Sequence, residues 1–80
     1  MLYIESQREY IRIVTTKTVY VSKMKTHEIE QLLPAHLFKR VHRSFIVATS
    51  KINSYTAETI DINGFFIPVG RGYRDVLQNL

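Results

Sequence analysis

Cysteine is absent from the 80-residue chain, which excludes a disulfide framework and any thiolate metal site. Long apolar runs are absent too. Phe45-Ile46-Val47-Ala48 is as long as any, far short of the roughly 20 residues of a membrane span. The opening Met1-Leu2-Tyr3-Ile4-Glu5 lacks the basic and apolar regions of a signal peptide. These absences lead to the expectation of a cytoplasmic protein with no membrane partner. Linkers, internal repeats and low-complexity segments are missing, so residues 1–80 are expected to form one domain.

Catalytic signatures are equally scarce. His42, Ser44 and Asp61 supply the residue types of a triad, but a triad is recognised by geometry and this spacing gives it no support. Neither a nucleophile elbow nor a glycine-rich phosphate loop occurs. Three dispersed histidines without cysteine do not make a metal site. The expectation is no enzymatic activity, no cofactor and no metal. The aromatic residues also lack the pattern used to stack single-stranded RNA.

What is present is an uneven distribution of charge. Residues 31–57 hold Lys39, Arg40, Arg43 and Lys51 and no acidic residue, while the other seven Lys/Arg are balanced by seven Asp/Glu. The formal charge of +4 therefore lies in this one stretch, where His36 and His42 can add to it. A pI near 9.6 favours an anionic partner, nucleic acid foremost. A hydrophobic content of 45% with 22% charged residues is ordinary for a globular chain. A chain of this size buries only about 60–65% of its unfolded surface, so its stability should be modest.

The local patterns read mostly as β-structure. Leu2-Tyr3-Ile4 is a short apolar run expected at a sheet edge, and Ser6 to Glu9 a loop. Tyr10 to Thr15 alternates, with Ile11 and Ile13 on one face and Tyr10, Arg12 and Val14 on the other. Thr16-Lys17 forms a turn without Gly or Asn, and Thr18 to Ser22 completes a hairpin with Val19 and Val21 facing in. Thr26 to Leu33 reads as a short helix capped by Thr26. Its apolar stripe is Ile29, Leu32 and Leu33, and Pro34 stops it. Leu37-Phe38 is expected to plug the core.

The basic segment Lys39 to Arg43 then leads into Phe45–Ala48. That continuous apolar run suits a strand covered on both faces at the centre of the fold. Thr49 to Lys51 reads as a turn. Residues 52–55, 58–62 and 65–67 are further strands, the last two joined by a type I′ turn at Asn63-Gly64. Pro68 places the last strand on an edge. Gly70-Arg71-Gly72 is a flexible break before a short C-terminal helix with Tyr73, Val76, Leu77 and Leu80 at i, i+3, i+4 and i+7. The fold class is mostly β: about seven short antiparallel strands with one internal helix and one terminal helix.

Candidate binding residues follow from chemistry. Arg43, just before a rigid strand, is placed for phosphate or guanine contact, or it is a solvated loop residue. His42 either joins such a contact or satisfies a backbone group near the strand. Arg71, between two glycines, either approaches a ligand closely or begins a helix. Tyr10 either stacks or packs. From the residues alone, a DNA-binding domain, a nonspecific DNA binder and a basic protein-interaction or dimerisation module all remain open.

One stretch narrows the choice. Phe38-Lys39-Arg40-Val41-His42-Arg43-Ser44-Phe45-Ile46-Val47 resembles the core signature of the LytTR family of bacterial DNA-binding output domains. Tyr3-Ile4-Glu5-Ser6, Tyr10-Ile11-Arg12-Ile13, Ile29-Glu30-Gln31-Leu32-Leu33 and Ile67-Pro68-Val69-Gly70-Arg71-Gly72-Tyr73 fit the same family pattern in order. The resemblance implies an elongated stack of small antiparallel sheets whose loops enter successive major grooves of double-stranded DNA. It implies base or backbone contacts from the segment ending at Tyr10, from Arg43 and from Arg71. Ser44 and Lys39 or Arg40 become phosphate candidates. It further implies a transcriptional regulator, with an upstream receiver domain if the chain is part of a longer response regulator and not a stand-alone protein, and two copies on paired direct repeats, where a dimer would gain avidity.

The chain departs from the family pattern at three places. Glu9 stands where Asn is common before the first-loop aromatic, which points contact there to Arg8 or Gln7. Ala48 follows Val47 where Asn is frequent, and Gly70 stands where Ser is common.

Overall fold

A computed structural model of the chain describes residues 1–79. Its organising feature is strand β1 (Tyr3–Gln7), which lies in the middle of a five-stranded antiparallel sheet rather than at the expected edge. Strand β2 (Tyr10–Val14) and strand β3 (Val19–Lys23) lie to one side, and β5 (Phe45–Ala48) and β4 (Phe38–His42) to the other, in the order β3-β2-β1-β5-β4. The first tripeptide could not reveal this, because its second neighbour, β5, is some forty residues away: Tyr3 pairs with Val47 and Ile4 with Ile46.

Period-two alternation then sends neighbouring residues into two different cores. Ile4, Ile11 and Ile46 meet Ile29 of helix α1 (Thr26–Leu32) on one face, with Ile13, Met24, Leu33 and Phe38 around them. Tyr3, Val14 and Val47 face the other way. They meet Ile60, Ile62 and Ile67 of a second, three-stranded sheet, together with Leu77. That sheet is β6 (Ser54–Tyr55), β7 (Thr59–Ile62) and β8 (Phe65–Pro68), with β7 in the middle and the proline-bearing β8 on an edge as expected. The mostly β architecture of small stacked antiparallel sheets is thus present, with principal extents of 31 × 26 × 21 Å. Strand β5 is covered on both faces, since Ile46 and Val47 enter opposite cores, although β1 and not β5 is central.

Eight strands occur among the described residues instead of about seven. The additional one is β4: the basic segment is itself a strand, hydrogen-bonded to β5 and turning at Arg43-Ser44. Its pairing shifts between Arg40 and His42. The bulge drives Val41 fully into the second core and leaves its carbonyl free to accept the Gly70 N–H at 2.8 Å. Bulges re-aim side chains in this way.

The turns follow local chemistry. Asn63 and Gly64 have φ of 51° and 88°, as a type I′ turn demands. Thr15-Thr16-Lys17-Thr18 needs no glycine because the Thr15 hydroxyl accepts from the Lys17 and Thr18 amides and donates to the Thr18 carbonyl. Thr56-Ala57-Glu58-Thr59 repeats the device, with the Thr56 hydroxyl accepting from the Glu58 and Thr59 amides. Hydroxyl turns of this kind substitute for positive-φ residues.

Several local expectations are corrected. Val19 and Val21 do not face in: every residue of β3 is exposed, Val21 by 63%, because neither α1 nor the second sheet reaches that edge. Lys25, not Thr26, is the N-cap residue of α1, and Glu28 reaches back to accept its backbone N–H at 3.2 Å. The helix ends at Leu32 because Pro34 holds Leu33 extended at ψ 142°. Leu32 is 69% exposed, so Ile29 and Leu33, one i,i+4 pair, make the contact with the sheet. Leu37 is exposed, and Phe38 alone fills the core. Strand β6 is shorter than residues 52–55: Ile52 packs against the core, and its N–H donates to the Thr49 carbonyl instead of joining the strand.

Gly70-Arg71-Gly72 is not a flexible break. The C-terminal element is a 3-10 helix, Arg71–Asn79, that already includes Arg71 and Gly72. Tyr73, Val76 and Leu77 contact the core. Leu80 lies outside the described residues.

Two measurements check this arrangement. Gly72 is exposed, sits inside the helical segment, and a Cβ built there would meet nothing within 4 Å. Gly72→Ala should stabilise the fold by about 0.4–1 kcal/mol, raising Tm by a few degrees. Tyr3 is buried, and its phenol pKa is raised above the ordinary 10.0, first by burial and then by Glu5, with Arg12 opposing. The folded state therefore holds the phenolic proton more tightly than the unfolded chain. This stabilisation is complete below pH 10 and falls as pH rises through the folded pKa. Relative to Tyr3→Phe, the unaltered chain should lose stability only above about pH 10; parallel urea-stability profiles to pH 11 would contradict the assignment.

Candidate nucleic-acid interface

Antiparallel pairing fixes which turns share an end of the sheet. Strand β1 runs to Gln7 and turns at Arg8-Glu9 into Tyr10. Strand β5 starts beside that point, after the Arg43-Ser44 turn, and the Ser6 N–H donates to the Ser44 carbonyl at 2.8 Å. The two hairpin turns are therefore neighbours. Tyr10 pairs with Lys23 of β3, and the Met24 N–H donates to the Glu9 carbonyl, which brings Lys23 and Lys25 to the same end. The bond from Gly70 to Val41 docks the C-terminal segment against β4, so Arg71 starts its helix there as well. Lys39 lies lower on β4.

The charges at this end are not equivalent. Arg40 is engaged with Glu30, 3.2 Å away, and Arg12 with Glu5 at 3.0 Å. Arg8, Lys23, Lys25, Lys39, Arg43 and Arg71 have no ion-pair or hydrogen-bond partner for their side chains among the described residues. Glu9 is the acid nearest in the chain to Arg8, Glu28 to Lys23 and Lys25, Glu30 to Lys39 and Arg43, and Asp75 to Arg71. Arg8 has φ of 53°, a conformation uncommon outside glycine. It holds the first position of a two-residue hairpin, where positive φ matches the twist of the strands. Tyr10 is 49% exposed and points with Gln7 and Lys23 to one face of the sheet.

His42 is built into the turn. Its Nδ1 accepts the Ser44 backbone N–H at 3.1 Å, and its ring meets Phe45 edge-on at 5.5 Å. The acceptor role requires an unprotonated Nδ1, so the imidazole shapes the loop that carries Arg43. Ser44 uses its backbone N–H and C=O within this frame. Arg43 is exposed, and its carbonyl accepts from Arg40 at 2.7 Å.

All eight residues singled out from the sequence (Arg8, Tyr10, Lys39, Arg40, His42, Arg43, Ser44 and Arg71) are thus carried by the two neighbouring hairpins and the segment docked on them. Lys23 and Lys25 were not singled out. Their signal was their place at the end of β3, legible only once the β2–β3 register is known. Gly70 packs closely: a Cβ there would lie 3.0 Å from the Tyr73 ring and 3.6 Å from the His42 Cα, so a larger residue would make the ring give way slightly.

Comparison with known proteins finds relatives of the whole chain. The family model for the LytTR DNA-binding domain matches residues 1–80. The sensory transduction protein LytT of Enterococcus faecalis is 37% identical over 79 residues, covering 90% of this chain and 33% of that protein. The chain therefore spans about a third of the length of this curated relative. The solved LytTr DNA-binding domain of a putative methyl-accepting/DNA response regulator from Bacillus cereus superposes with a TM-score of 0.85. Its sequence identity is 27%, and the match covers 98% of this chain and 77% of that one.

The turn frame can be tested without a ligand. His42→Ala should cost about 1 kcal/mol by leaving the Ser44 N–H without its acceptor. His42→Asn, whose side-chain oxygen can take the same bond, should recover most of it in urea unfolding.

Proposed function

The chain belongs to the LytTR DNA-binding domain family, and we propose that it binds double-stranded DNA sequence-selectively through the end of the sheet just described. The observation that carries this reading is the gathering of five unpaired cations (Arg8, Lys23, Lys25, Arg43 and Arg71) around two adjacent hairpin turns and one helix start, with unpaired Lys39 lower on β4, while the other two arginines at these strands are held in ion pairs. Unpaired cations release counterions when they meet phosphates, which supplies affinity. Side chains held on short turns at the end of a rigid sheet can be offered to base edges, which supplies selectivity.

In this reading Arg43 and Arg71 contact bases in successive major grooves, from turns set in register by the Gly70–Val41 bond. Lys39, Lys23 and Lys25 contact phosphates. Arg8 and Tyr10 serve the first loop, where Glu9 would repel phosphate and leaves contact to its neighbours. The Ser44 hydroxyl adds a phosphate hydrogen bond, and His42 holds the turn. The names of the similar proteins support a place as the output part of a sensory response regulator, with a receiver domain elsewhere in a longer chain and two copies bound to direct repeats. A dimer through Phe65 and Phe66 has less support. Phe65, though 43% exposed, packs edge-on against Tyr3 at 5.6 Å. As neighbours on one strand, Phe65 and Phe66 point to opposite faces of their sheet and do not form one apolar patch.

Binding to duplexes with paired direct repeats and to scrambled duplexes, across a salt series, checks the proposal. Arg43→Ala and Arg71→Ala should each cost about 1–3 kcal/mol of discrimination without changing Tm. Lys39→Ala should weaken both duplexes alike and lower the salt slope by about 1. Unchanged discrimination in both arginine variants would refute the site assignment.

A further inference from the structure

Arg40 stands apart from the other cations at this end. Its side chain is the less exposed partner of its ion pair, 24% against 44% for Glu30, and its guanidinium makes contacts in three directions. Nη1 donates to Glu30 Oε1 of α1 at 3.2 Å. Nη2 donates to the Arg43 carbonyl at 2.7 Å, and Nε reaches the His42 carbonyl at 3.4 Å. The Cζ atom lies 5.9 Å from the centre of the Tyr73 ring, inside the range of a cation–π contact.

We propose that Arg40 is a positioning residue: it clamps the Arg43-Ser44 turn to helix α1 and to the C-terminal 3-10 helix, and so sets Arg43 and Arg71 relative to each other, instead of binding a phosphate. This inference rests on the DNA-binding reading and deepens it. Three observations support it. First, the hydrogen-bonding edges of the guanidinium face two carbonyls and a carboxylate, so a phosphate would have to compete with Glu30 for the same cation. Second, the adjacent Lys39 is unpaired among the described residues and supplies a free cation on the same strand. Third, the Arg43 carbonyl lies in the turn beyond His42, the last paired residue of β4, and so outside the strand ladder. A planar fork of donors can hold two carbonyls and a carboxylate together. An ammonium on a flexible stem cannot reproduce that geometry.

The link to Arg71 runs through Tyr73. Its N–H donates to the Gly70 carbonyl at 2.9 Å, and its ring would be touched by any Cβ at Gly70. The ring under Arg40 thus belongs to the same turn that presents Arg71. Loss of the clamp would let the two arginines move independently, which removes discrimination while leaving the count of phosphate-facing cations unchanged.

Arg40→Lys separates the two roles, since it keeps the charge and removes the fork. Circular dichroism first establishes that the variant is folded. The clamp predicts a roughly tenfold loss of preference for the repeat duplex over the scrambled one, with unaltered affinity for scrambled duplex and an unaltered salt slope. It also predicts faster exchange of the Ser44 amide in the free protein. Glu30→Ala should shift both readouts in the same direction. A phosphate role predicts near-normal behaviour for Arg40→Lys, and for Arg40→Gln an equal loss on both duplexes with a salt slope smaller by about 1; that result, or an unchanged Ser44 exchange rate in Arg40→Lys, would overturn the proposal. If the unaltered chain shows no preference between duplexes, the DNA-selectivity reading fails by itself, and the exchange rate still decides whether the clamp exists.

Discussion

Strand β1 has to be buried on both faces at once, and the rest of the molecule follows from that constraint. Tyr3 and Ile4 are adjacent in the chain, so they point to opposite sides of the sheet, and both are buried. A single layer cannot cover two faces. Helix α1 is recruited to one side through Ile29, and the second sheet to the other through Ile60, Ile62 and Ile67. A two-turn helix and a three-stranded sheet are each marginal alone in water. Each is held by the apolar surface that the central sheet presents.

The same constraint places the end of the sheet proposed to bind DNA. Because β1 pairs antiparallel with both β2 and β5, the turn that leaves it and the turn that precedes β5 must lie side by side. A bulge in β4 then frees one carbonyl for Gly70 and draws the C-terminal segment alongside. Side chains as far apart in the chain as Arg8 and Arg71 are gathered at one end with no recognition helix among the described residues. Rigidity at the turns comes from short-range chemistry: the imidazole of His42 under the Ser44 amide, and the guanidinium of Arg40 under the Arg43 carbonyl.

The two outer strands of the large sheet illustrate the cost and use of an edge. Strand β4 is protected by the bulge and by the C-terminal segment docked on it. Strand β3 is left open, with Val19, Tyr20 and Val21 exposed. Lys17 and Lys23 flank that apolar run, charges of the kind that discourage edge-to-edge pairing.

The sequence by itself determined the features that arise within a few residues. Asn63-Gly64 fixed a turn because both residues accept positive φ, Pro34 ended a helix because it excludes helical geometry at Leu33, and alternation from Tyr10 to Val14 specified a strand. Charge segregation and the His42-Arg43-Ser44 block marked the proposed binding region for the same reason: they are properties of composition and order. Only the tertiary structure decided that Leu2-Tyr3-Ile4 lies at the centre, that Val19 and Val21 stay in water, and that Lys39 to His42 is a strand. Those outcomes depend on pairings between distant segments, and local pattern cannot tell a covered face from an open one. The different surroundings of Lys39 and Arg40 were likewise out of reach. Two adjacent cations look alike in a sequence, and they differ here because Glu30, Arg43 and Tyr73 converge on only one of them.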